Sequence, residues 1–175
     1  MKAATVHEIK VELSHLKPGD LVELCLRLSK FKKENKELLT YLLFEGHDEP
    51  GFIKSVENEI AAQFSEIPKG NSLYLVKKSV RKILRRTNKH IQYTGSKIAE
   101  VQLLLFFCTE LKKSGIPIHQ STALTNLNQA QIKKIKKVLD TLHEDLQYDY
   151  LRQLEEIQMG SWFITLFVIR YDYCI

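Results

Sequence analysis

The stretch KIAEVQLLLFFCTELKK, residues 97–113, constrains the fold more than any other part of the chain. Between Val101 and Leu111 only Gln102, Thr109 and Glu110 interrupt the apolar residues, so on a helix they fall at almost every angle. A helix apolar nearly all round must be enclosed by other elements. It is too short to cross a bilayer, which takes a run of about 18 or more apolar residues. The other greasy segment, WFITLFVI at 162–169, is shorter still. The rest of the chain therefore has to build a wall around residues 97–113. With 175 residues, 44% of them hydrophobic, there is enough chain for one domain with a sizeable core.

That wall reads as helical. Seven glycines and four prolines are few and unclustered, which argues against a many-turned β fold. Val6, Ile9, Leu13 and Leu16 recur at helical spacing. KPGD then breaks the pattern, and Asp20 with Glu23 is read as a capping box opening a helix with Leu21, Leu24, Cys25, Leu28 and Phe31 along its apolar row. Asn35 is expected to cap a further helix ending near Gly46. Asp48 with Pro50 starts another that reaches about Phe64. A basic helix runs from about Ser72 to His90 or a little beyond, and TGS at 94–96 ends or kinks it. After a connector at 114–126, Asn128 has the marks of a helix start, with Gln131 three residues on and Leu127 set to meet Ile132. That helix has room to run on to Ile157. The expected fold is all-α, a single compact multi-helix bundle or short α-solenoid of about seven helices. Residues 1–175 are read as one helical domain, with a sub-boundary near 68–72. The apolar C-terminal tail, 161–175, fits either a buried helix or a strand, and its β-branched and aromatic content favours the strand-like form.

Charge is distributed unevenly along this scaffold. Residues 67–99 hold nine basic side chains and no acid, whereas residues 1–66 hold nine basic against twelve acidic and residues 100–175 eight against nine. The whole formal charge of +5 is therefore local to one element. On a helical wheel Val76, Val80, Ile83, Leu84 and Ile91 fall on one side of it. Lys78, Arg81, Lys82, Arg85 and Lys89 fall on the other, with Lys77 and Arg86 flanking. Like charges four residues apart, such as Lys78–Lys82 and Arg81–Arg85, cost a few tenths of a kcal/mol each. Surfaces built only for solubility intersperse signs. A second cluster, Lys133, Lys134, Lys136 and Lys137, is read as lying at a helix start, the wrong end for the helix dipole. Free N–H groups at such a start suit phosphate. A helix-turn-helix over 121–142 would present Gln129, Gln131, Lys133, Lys134 and Lys137 to a groove.

No constellation for catalysis accompanies these charges. The six histidines show no metal-binding spacing, and His143, Asp145 and Asp149 read as solvated helix charges rather than a metal site. Single glycines make no phosphate-cradling loop. No enzyme activity, metal or cofactor is expected. Cys25, Cys108 and Cys174 are an odd number with no CxxC, which fits reduced thiols in the cytoplasm. The expectation is a non-enzymatic interaction module. Its anion-facing residues are Lys77, Lys78, Arg81, Lys82, Arg85, Arg86 and Lys89, joined by Lys133, Lys134 and Lys137. Nucleic acid held by its phosphate backbone is the first partner expected. The alternative is a scaffold that docks an acidic protein surface or a second copy of the chain. Acids elsewhere in the chain could equally pair with the basic helix and leave it only solvated.

Overall fold

The computed structural model describes residues 2–68 and 72–158. Among these the chain is all-α, with eight α-helices and no strand. The tail at 161–175, and with it the choice between strand and helix, lies outside the described residues. The chain divides into two units, Met1–His47 and Asp48–Ile175. Of the stretch at 68–72, residues 69–71 also lie outside those described.

The first unit holds α1 (Val6–His15), α2 (Pro18–Phe31) and α3 (Lys33–Thr40), the last passing without a break into a π-helical turn, Tyr41–Glu45. α1 begins in a full capping box. The Thr5 N–H donates to Glu8 Oε2 at 2.6 Å, and the Glu8 N–H donates back to Thr5 Oγ1 at 3.3 Å. The expected Asp20–Glu23 box is not formed, because α2 starts one turn earlier, with Lys17 at the N-cap making no side-chain bond. Pro18 explains the shift: its fixed φ suits the first helical position, where the missing N–H has no partner to lose. Asn35 is likewise no cap. It sits inside α3 and donates from Nδ2 to the Leu28 carbonyl at 2.9 Å, tying α3 to the end of α2. Among the described residues of this unit only Tyr41 is buried.

The second unit is a bundle of α4 (Glu49–Ser65), α5 (Leu73–Thr94), α6 (Lys97–Lys113), α7 (Thr122–Leu139) and α8 (Glu144–Gln158), with a 3-10 turn at Ile118–Gln120. α6 is its axis and packs against α4, α5, α7 and α8. That arrangement is a bundle rather than a solenoid, in which each repeat meets only its neighbours. Val101, Leu103, Leu104, Phe107 and Leu111 of α6 have no exposed surface, as an all-round apolar helix requires. Asp48 caps α4 as expected, accepting the Gly51 N–H at 3.0 Å. A Cβ on Gly51 would lie 2.1 Å from Asp48 Oδ2, so a larger residue there would require the Asp48 carboxylate to swing aside. Gly95, at φ +61°, closes α5 in the left-handed conformation.

Two expectations for the chain after α6 are overturned. α7 starts at Thr122, not Asn128, so Asn128, Leu127 and Ile132 are mid-helix residues. The connector has already turned by then: the Ser121 N–H donates to the Ile118 carbonyl at 3.1 Å, and Thr125 Oγ1 donates to the same oxygen at 3.0 Å. α7 then ends at Leu139 and α8 begins at Glu144, so no single helix runs to Ile157.

Candidate anion-binding surface

α5 is 22 residues long and carries no acid. Its buried side, Val76, Val80, Ile83, Thr87 and Ile91, lies against the bundle, which aims its cations outward. Lys78, Arg81, Lys82, Arg85 and Arg86 are exposed, while Lys77 and Lys89 are half-buried.

Neighbouring helices supply carboxylates at both edges of this face. On the α4 side Glu59 takes Arg86 Nη2 at 2.6 Å and lies 3.3 Å from His90 Nε2. Glu59 Oε1 also accepts from Gln63 Nε2 at 2.7 Å, which fixes the carboxylate in place. On the α7 side Lys134 lies 2.7 Å from Glu100 of α6 and donates to Asn88 Oδ1 of α5 at 3.2 Å. Lys89 is engaged as well and is not a free cation. Between these edges, Lys77, Lys78, Arg81, Lys82 and Arg85 have no carboxylate within ion-pair distance among the described residues. The row read from the sequence is therefore narrowed to its middle, and Arg86 and Lys134 serve as internal clamps. Glu59 and Glu100 were not legible as their partners, since each comes from a helix remote in sequence.

The second cluster occupies a different place from the one expected. Lys133, Lys134, Lys136 and Lys137 lie in the last two turns of α7, where cations favour the helix dipole rather than oppose it. Their placement is thus no sign of a missing anion. The uninterrupted helix from Thr122 to Leu139 also leaves no turn for a helix-turn-helix at 121–142. The Lys134–Asn88 bond nevertheless brings this end of α7 beside α5. Lys137 lies one turn further on the same flank, and Lys133 faces solvent next to it.

The chemistry open to this surface is electrostatic contact and hydrogen-bond donation to anions. Elsewhere in the bundle a groove of about 650 Å³ lies between α4, α6 and α8, lined by Ile53, Leu105, Phe106, Gln102 and Tyr150. Several of its polar groups are tied into the structure: Gln102 Nε2 donates to Tyr150 Oη at 2.9 Å, and Lys112 Nζ donates to the Glu156 and Ile157 carbonyls at the end of α8. His143 and Asp145 pair at 3.3 Å on the exposed start of α8. No family model matches the chain, and searches of curated proteins and of solved structures likewise find no match.

Proposed function

We propose that the chain is a non-catalytic module that binds the phosphate backbone of a nucleic-acid duplex through Lys78, Arg81, Lys82 and Arg85, with Lys133 and Lys137 beside them. One observation carries this reading: the central cations of α5 remain exposed and unpaired among the described residues, although carboxylates neutralise the cations at both edges. From residue 78 to 85 a helix rises about 10 Å, a length over which duplex DNA carries about six charges. Four cations match that density closely enough to displace counterions. Aromatic side chains are thin on this face, with Tyr74 and Tyr93 near its ends, so stacking on single strands is the weaker version.

Fluorescence anisotropy of a labelled duplex against salt tests the reading. About five phosphate contacts should give a log–log slope near −4.5. The double replacement Arg81→Glu with Arg85→Glu should abolish binding, while Arg86→Gln, which removes a clamp, should leave it within a few fold. Failure to bind any duplex at low salt sinks the reading. So does undiminished binding by the double variant.

A further inference from the structure

The wall around α6 has a gap that duplex binding does not use. The groove between α4, α6 and α8 is floored by Ile53, Leu105 and Phe106 and reaches Ile157 at the end of α8. Phe106 stays half-buried there, although Leu105 and Phe107 on either side of it are enclosed. A helix apolar nearly all round calls for cover on this side too. α6 and α8 run in the same direction along the groove, since Gln102 bonds Tyr150 at one end and Lys112 bonds the Glu156 and Ile157 carbonyls at the other.

The chain carries a cover of its own. α8 ends at Gln158, one residue past Ile157, so the polypeptide leaves the helix at the mouth of the groove. The apolar run WFITLFVI starts four residues later, at Trp162. Four residues span at most about 14 Å, which keeps the start of the run close to that mouth. From Tyr150 to Ile157 α8 rises about 10 Å, whereas eight residues span about 12 Å as a helix or about 26 Å as a strand. The run therefore reaches along the groove in either form. It holds no charge, and the rim of the groove asks for none: Lys54 pairs with Glu57 at 3.0 Å, and Lys113 with Glu110 at 3.0 Å. So short a tether also gives it a high effective concentration at this site.

We infer that residues 162–169 dock in the groove between α4, α6 and α8 and complete the enclosure of α6. The docking is independent of nucleic acid. Trp162 is the sole tryptophan, so it serves as the reporter in the intact 175-residue chain. In a Cys25→Ser, Cys174→Ser background, which leaves only the buried Cys108, a bimane fluorophore is attached at Lys54→Cys on the α4 wall. Trp162 quenches bimane on contact. Emission should be lower by about half or more than in the same chain carrying Trp162→Phe, and about tenfold dilution should not change it, because the contact is intramolecular. Bimane at Lys78→Cys on α5, away from the groove, should not be quenched. Phe106→Glu sets a charge on the floor and should restore the emission at residue 54, with circular dichroism checking that the helices persist. Thr109→Lys, at a half-buried position on the same floor, gives that readout through a milder change. Emission at residue 54 that is the same with and without Trp162 overturns the inference. Equal quenching at residue 78, quenching lost on dilution, or quenching that survives both floor variants does so as well.

Discussion

Cys25 and Cys108 each sit among leucines in an apolar helix pattern, yet the structure gives them opposite chemistry. Cys25 is exposed, whereas Cys108 is 1% exposed, and burial pushes its thiol up to about 12 because the thiolate would lose its hydration. In a Cys174→Ser background one thiol should react with a disulfide reagent in seconds at neutral pH, and the second only on unfolding. The raised value also fixes a sign. The contribution of Cys108 to stability is intact below the ordinary cysteine value and falls as pH climbs towards about 12, since only the unfolded chain then ionises. Glu8 behaves in the opposite sense. The Thr5 N–H and then the Thr5 hydroxyl hold its carboxyl below the usual glutamate range, so its support for α1 is present above that range and lost as pH falls through the depressed value. Circular dichroism should record a loss of helix on acidification that Glu8→Gln already shows at neutral pH. Caps of this kind were only partly legible in the sequence. Asp48 was read correctly, but Asp20, Asn35 and Asn128 were not, because a proline at N1 or an earlier turn decides which of several polar residues opens a helix.

The same limit appears one level up, between whole helices. Leu21, Leu24, Leu28 and Phe31 of α2 repeat the spacing of Val101, Leu104, Cys108 and Leu111 of α6. The first row is largely exposed and the second fully enclosed. Periodicity declares that a helix has an apolar face; what covers the face depends on how much other apolar surface reaches it. Leu104→Ala should therefore cost about 2–5 kcal/mol, read from denaturant unfolding, because it empties a site with no exposed surface. Leu24→Ala, at 39% exposure, should cost about 0.5 kcal/mol. On α5 the charge row was legible from composition alone, and its trimming by Glu59 and Glu100 was not. The surviving middle carries a strain of its own. Arg85→Glu turns three like-charge neighbours, Arg81, Lys82 and Lys89, into opposite-charge neighbours. It should raise the melting temperature by a few degrees while weakening duplex binding at least tenfold, the trade expected where a surface is kept for binding rather than for stability.

Across the whole chain, burial is as uneven as charge. Apart from Tyr41, every buried side chain among the described residues lies between Phe52 and Leu154, around α6. Residues 2–47 bring three helices with almost no core. Hydrogen bonds inside a helix are open to competition from water unless packing shields them, so protection against exchange should follow this division. Amides of α6 should exchange only through global unfolding, with those of Leu104 and Phe107 among the slowest in the chain. Amides of α1 and α2 should exchange through local opening, orders of magnitude faster, in dilute solution. Hydrogen–deuterium exchange read by mass spectrometry measures both rates in one experiment. Protection of α2 equal to that of α6 would mean that the first unit unfolds together with the bundle.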